Sequence, residues 1–235
     1  MEQPVAITLR LPGGEKLELA VIEPGKVDMR SEFDSEDPVV LENKCYFHIG
    51  RTEVTQAQWK AIMGNAPSAV RGDDLPVTNV SWREARRFCG KLNRYFGSRL
   101  PAGYHFDLPT AAQWKFAFVG GGLYPRGRYS GSNDLNEVAW YNENSGGKVH
   151  PVAKKKPNAL HLYDMEGNVR EWCRDAHDSL VQGGKLAMGN SFEIAALLYK
   201  WGAGPGGALV GHPSPEKPDF QGDDLGFRVA LVPIK

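Results

Sequence analysis

A chain of 235 residues, 41% hydrophobic and 24% charged, has the length and mix of one domain able to bury a core without staples. Its 28 basic and 28 acidic residues cancel, so no global field draws it toward nucleic acid or an anionic membrane. No apolar run approaches the ~20 residues of a membrane span, and residues 1–10 carry no export-signal pattern, which predicts a cytoplasmic protein.

At the start, Val5, Ile7 and Leu9 alternate, Pro12-Gly13-Gly14 supplies a turn, and Leu17, Leu19 and Val21 alternate again, predicting a hairpin. Pro24-Gly25 predicts the next turn, and the polar stretch 31–38 a loop. Cys45, Cys89 and Cys173 are odd in number and far apart, which reads as reduced thiols rather than a disulfide framework.

Three helix starts follow, each with a capping-box spacing that satisfies free backbone N–H groups: Thr55 with Gln58, Ser81 with Glu84, and Thr110 with Gln113. The first is expected to end near Gly64. The second carries Trp82, Ala85, Cys89 and Leu92 along one side, with Phe88 beside them, and Gly97 to close it. The third presents Trp114, Ala117 and Phe118. After Gly120, glycine, asparagine, serine and proline dominate, predicting short strands and ordered loops, with a last strand over 227–231. The run Lys154-Lys155-Lys156 reads as a solvated turn, and the six histidines show no i, i+4 pairing that suggests a metal.

Gly50-Arg-Thr-Glu-Val-Thr-Gln-Ala-Gln-Trp59, Leu75-Pro-Val-Thr-Asn-Val-Ser-Trp82 and Phe106-Asp-Leu-Pro-Thr-Ala-Ala-Gln-Trp114 stand in one order along the chain. They are followed by Ala139-Trp-Tyr-Asn-Glu-Asn-Ser-Gly-Gly147, Leu162-Tyr-Asp-Met-Glu-Gly-Asn-Val-Arg-Glu-Trp172 and Gly226-Phe-Arg228. In kind and order these motifs resemble the formylglycine-generating-enzyme, or sulfatase-modifying factor, family. The resemblance implies an α+β fold, the formylglycine-generating-enzyme type variation of the C-type lectin fold, loop-rich and with few helices. It covers nearly the whole chain, so residues 1–235 are expected to form a single domain. Within it Trp59, Trp82, Trp114 and Trp172 are expected to build the core, so they identify a fold and not a function.

In the family's enzymes a Gly-Gly-Ser strand precedes two cysteines that bind copper, for which soft thiolates are suited. Here the matching strand is Met188-Gly-Asn-Ser-Phe192, and the two positions fall on Ile194 and Tyr199, with no cysteine after Cys173. The resemblance therefore implies no copper, no formylglycine generation and no catalytic residue taken over from the enzymes. Calcium is the cofactor it leaves open, with Asn158, Asp164 and Asn168 as oxygen ligands, although His161 stands where glycine is common.

Residues 188–224 carry little family character between two recognisable pieces, as a displayed recognition surface would. The same fold carries the variable proteins of diversity-generating retroelements, whose changeable residues lie in a C-terminal segment. Asn190, Glu193, Ile194, Tyr199, Trp201, His212 and Asp223 are the candidate ligand-binding residues. Phe192, Leu197 and Leu198 read as core. Trp201, between Lys200 and a glycine-rich stretch, is expected to be exposed. An acid–base role would use Asp223, Asp224 or His212, but aspartates beside Gly222 read as turn formers. The expected function is a non-catalytic module binding a protein or other macromolecule, not nucleic acid or membrane. The alternatives are a cysteine-independent enzyme of the same superfamily and a structural partner domain in a larger assembly.

Overall fold

The computed structural model of the protein describes residues 5–28, 40–123, 128–177, 181–195 and 213–234. The alternating start forms the expected hairpin, β1 (Ile7–Arg10) against β2 (Lys16–Ile22), closed by a 3-10 turn at Pro12–Gly14. Gly25 begins a strand directly, β3 (Gly25–Asp28), which pairs with β4 (Val40–Asn43). The stretch 31–38, expected as a loop, lies outside the described residues. β5 (Phe47–Gly50) is buried along its whole length and pairs with β2.

Every helix start predicted from capping spacing is present. α1 (Gln56–Met63), α2 (Trp82–Phe96) and α3 (Ala111–Phe118) each have a complete capping box, from Thr55, Ser81 and Thr110. The N-cap oxygen takes the third backbone N–H and the glutamine or glutamate reaches back, an arrangement whose cap is worth about 1 kcal/mol. Gly64 closes α1 in the left-handed conformation, which lacks a Cβ penalty only for glycine. Strand β6 (Tyr104–Asp107) joins α2 to α3.

Beyond α3 the elements are short: α4 (Leu135–Val138), β7 (Ala139–Trp140), α5 (Asn142–Ser145) and β8 (Glu166–Gly167). Then come β9 (Arg170–His177), β10 (Gly184–Met188), β11 (Ser214–Glu216), β12 (Leu225–Gly226) and β13 (Ala230–Pro233). The last strand thus starts three residues later than the sequence pattern suggests. Phe227 and Val229 accept from Val54 and Gly50 through their carbonyls, while Arg228 turns inward to a buried carboxylate.

One sheet has the order β1-β2-β5-β13-β6 and the other β11-β10-β9-β12, with β3-β4 and β7-β8 as separate pairs. The first sheet is covered on both faces. Leu17 and Leu19 of β2 pack with Trp59, Phe88, Leu92, Phe227 and Trp172, while Ala20 and Ile22 pack with Trp114, Phe116, Met165 and Cys173. Trp59 stacks on Phe88 at 5.6 Å, and Phe227 meets Phe88 edge-on at 5.4 Å. Two motif glycines have steric reasons. A Cβ on Gly167 would sit 2.1 Å from the Trp140 carbonyl oxygen, and one on Gly226 2.5 Å from that of Val77.

One expectation needs correction. Trp82 is only half-buried: Arg86 and Lys185 hold their cations over its ring, and its indole N–H donates to the Cys173 carbonyl. Its amphipathic ring closes the edge of the core instead of filling it. The lysine run is a largely exposed bend, as expected, with two of its cations partnered. Lys155 places its ammonium 3.9 Å from the Trp140 ring centroid, and Lys156 pairs with Glu137 at 2.7 Å.

Candidate functional site

The sequence places the site after β10, and the described part of that region is held at both ends. At the near end, Ala187 and Met188 pair with Trp172 and Glu171 of β9. Phe192 then packs with Leu75, Val149 and Val169, its N–H donating to Asn168 and its carbonyl accepting from Ser145 Oγ. At the far end Arg170 acts as a hub. Its guanidinium grips Asp224 through two bonds of 2.8 and 3.0 Å and reaches Ser214 at 2.6 Å and Glu216 at 2.9 Å. The fork geometry of arginine fits this two-oxygen grip.

Between these anchors the candidate residues divide. Asn190 is buried, at 7% exposure, and Phe192 is buried as core, whereas Glu193 and Asp223 are exposed. Ile194 is half-buried against Tyr129, Leu135, Ala139 and Tyr141, with its carbonyl accepting from Asn142 N–H. Partial burial raises the Glu193 carboxyl above its ordinary value, and the nearby Asp224 and Asp223 charges raise it further, partly offset by Arg170. Glu193, Asp223 and Asp224 therefore share one acidic neighbourhood around a single arginine. Phe220 adds an aromatic ring at 39% exposure. Asp223 and Asp224 lie in a turn, as their place beside Gly222 suggests. Tyr199, Trp201 and His212, with Leu197 and Leu198, lie outside the described residues.

Beneath this surface is a buried charge centre that the sequence reading treated only as motif. Arg228 is fully buried and meets both oxygens of Glu171, at 2.6 and 2.7 Å. It also donates to the carbonyls of Gly50 and Tyr163, each at 3.0 Å, and the Trp114 indole N–H donates to Glu171 at 2.8 Å. Glu53 stands beside them, accepting from the Asn168 amide at 3.2 Å. Burial pushes its carboxyl well up, and the charges of Asp164 and Glu171 push it further, against Arg228 and Asn168. Asp164 is raised to about 6, mainly by burial. With each oxygen of Glu171 and most of the guanidinium committed, this centre ties four segments together.

The calcium candidates are taken up differently by the fold. Asn158 is buried, donates to the Ala117 carbonyl at the end of α3, and accepts the N–H groups of Leu160 and Leu162. Asn168 accepts from His150 N–H while its amide donates to Glu53 and to the His150 carbonyl. Asp164 accepts from Ala153 N–H, and its second oxygen is buried without a hydrogen bond. One free carboxylate oxygen is short of the six or more a hard cation takes, so these three residues as placed do not fit a calcium shell. Among the described residues no group of three or more histidine, cysteine, aspartate or glutamate side chains is placed to hold a metal ion. The thiols are no better disposed. Cys89 and Cys173 are buried in the two cores, where desolvation raises both well above the ordinary thiol range, and Cys45 is exposed. No helix among the described residues is long and apolar enough to cross a membrane.

Comparison with known proteins agrees with this picture. The family described as sulfatase-modifying factor enzyme 1-like domain matches residues 12–232. The chaperone protein LppX of Paenibacillus barcinonensis is 32% identical over 206 residues, covering 68% of this chain and 72% of that protein. The inactive Cα-formylglycine-generating enzyme 2 of Bos taurus is 30% identical over 189 residues, covering 75% of this chain but 57% of its own length. Among solved structures, Treponema denticola variable protein 1 superposes with a TM-score of 0.76 at 28% identity, over 98% of this chain and 100% of that one. The fold is thus the mixed α+β, lectin-like one expected, and the chain belongs to the sulfatase-modifying factor enzyme 1-like domain family.

Proposed function

We propose that this chain is a non-catalytic protein-binding module whose recognition surface lies in residues 188–224. The observation that carries the reading is the environment of position 194. Where the family's enzymes hold a copper-binding cysteine, an isoleucine packs against Tyr129 and Tyr141, and the core thiols are buried elsewhere. Relatives named as a chaperone, as an inactive enzyme and as a variable protein fit a scaffold that binds rather than converts. The exposed Glu193, Asp223 and Phe220 give the described part of the tract an acidic and aromatic character suited to contact with a protein.

Photo-crosslinking side chains at positions 193 and 220, with the exposed position 44 between β4 and β5 as control, test this surface. The expected result is a discrete protein adduct from 193 and 220 and none from 44. In the same assay Trp201→Ala is expected to weaken capture by ~10-fold or more with little change in melting temperature, as for an interface hot spot. Equal labelling at all three positions, or capture indifferent to Trp201, would remove the tract as the recognition surface.

A further inference from the structure

The chain also presents a surface on its second helix, whose first turn meets the end of that tract through Arg83 and Asp219. α2 buries Ala85, Phe88, Cys89, Leu92 and Phe96. At about 100° per residue, Arg83, Arg87, Gly90 and Arg94 fall within roughly 60° of one another on the opposite side. All three arginines are exposed. Arg87 and Arg94 make no ion pair among the described residues, and Arg83 meets Asp219 at 2.7 Å, with the two side chains 62% and 73% exposed. Such an exposed pair exchanges partners at little cost.

The second observation is the glycine in the centre of this line. Glycine is the poorest helix former after proline, so it needs a reason in the middle of a fifteen-residue helix. Its φ is not in the left-handed range, and a Cβ added at Gly90 would meet nothing within 4 Å. Neither backbone conformation nor packing within this chain requires glycine at that position. What its absent side chain leaves is a notch in a row of long cationic side chains, open to the helix backbone.

We infer that this face docks an acidic polypeptide segment that crosses α2 at Gly90, its carboxylates held by Arg83 and Arg87 on one side of the notch and by Arg94 on the other. The line spans about 16 Å, the length of roughly three helical turns of a partner. A neutral chain with a local row of exposed guanidinium groups, of which Arg87 and Arg94 make no ion pair among the described residues, has charge complementarity for acidic surfaces, and arginine suits two-oxygen recognition of carboxylates. A polypeptide is favoured over nucleic acid because the positive field is one helix face wide. Asp219 and Glu84 flank its N-terminal end, and the exposed Tyr95 is already covered by the Arg99 guanidinium at 4.8 Å from its ring centroid.

The test uses the full chain and three labelled probes: a helical glutamate- and leucine-rich peptide, its lysine-for-glutamate counterpart, and a single-stranded oligonucleotide of matching charge. The glutamate peptide is expected to bind with salt-dependent affinity and the lysine peptide not to bind. Gly90→Leu fills the notch and is expected to weaken the glutamate peptide by ~10-fold or more without lowering the melting temperature, since leucine is the better helix former. Arg87→Glu with Arg94→Glu is expected to abolish binding. The inference fails if the glutamate peptide does not bind, or if Gly90→Leu binds it as the parent does. It also fails if the oligonucleotide binds as tightly and ignores Gly90→Leu, which would mark a generic polyanion surface.

Discussion

Glu166 offers a quantitative check on how the interior is built. It sits in β8 at 5% exposure, and one of its oxygens accepts the Ser130 N–H at 3.3 Å. Burial lifts its carboxyl from an ordinary 4.5 to about 8, the Ser130 bond opposing the shift. A folded-state value raised above the unfolded one means that the neutral acid favours folding. That contribution is complete below about pH 4.5 and is lost as pH climbs through about 8. A difference of about 3.5 units corresponds to about 5 kcal/mol in all, with about 3 kcal/mol of it arising between pH 5.5 and 8.5. Glu166→Gln keeps the shape and removes the titration. The gap in stability between variant and parent should therefore widen in the variant's favour by about 3 kcal/mol over that interval, or ~6–12 °C in melting temperature. Taking the gap rather than either curve alone cancels the other titrating groups, Asp164 and Glu53 among them. Denaturant melts of both proteins at matched pH values supply the measurement. A gap constant with pH would show that Glu166 is ionised in the folded protein and that the desolvation argument is wrong.

Three further outcomes follow from the same structure. Trp172 is fully buried with its indole N–H on the Val80 carbonyl at 2.8 Å, so Trp172→Ala should cost ~3–5 kcal/mol in a urea melt, and parent-like melting would contradict its place in the core. Arg228→Met leaves Glu171 buried without its cation and should cost ~3–5 kcal/mol, with part recovered when Glu171→Leu is added, a pattern a double-mutant cycle would show. Purified protein should neither bind stoichiometric Cu(I) nor oxidise a cysteine-containing sulfatase peptide, because position 194 offers a side chain of carbon only. Copper retained through dialysis together with turnover of that peptide would overturn the non-catalytic reading.

The parts of the fold that were legible in the sequence are those written in neighbouring residues. Thr55, Ser81 and Thr110 with their partners three residues on predicted three helix starts because a capping box is closed within one turn. Ile7 and Leu9 against Leu17 and Leu19 predicted the first hairpin for the same reason. The buried centre was not legible by such means. Glu171 and Arg228 stand 57 positions apart, and Glu53 lies still further from both. Neither residue lies on a periodic face, so only recognisable motifs marked them, and those motifs do not say that two charges meet inside. Trp82 misled because helical spacing gives the face of a residue but not the cations that come to cover it. Of the candidate site, Glu193 and Asp223 are exposed, while the pattern gave no sign that Asn190 packs inside.

The same long-range contacts bear on why so much departure from family pattern collects in one tract. β10 is fixed to β9 through Ala187 and Met188, and the chain after it is fixed by Phe192 on Asn168 and Ser145. Arg170 recovers the chain at Ser214, Glu216 and Asp224, just before Gly226 enters the space under Val77 and Arg228 joins the buried centre. These anchors hold the chain on either side of residues 196–212. A substitution in one of them releases a buried polar group or a core ring and costs well above the ~0.5 kcal/mol of a usual surface change. On the proposed function, the anchored ends are the fixed frame of the recognition surface, so changes in the anchors are expected to lower stability first and binding only through it.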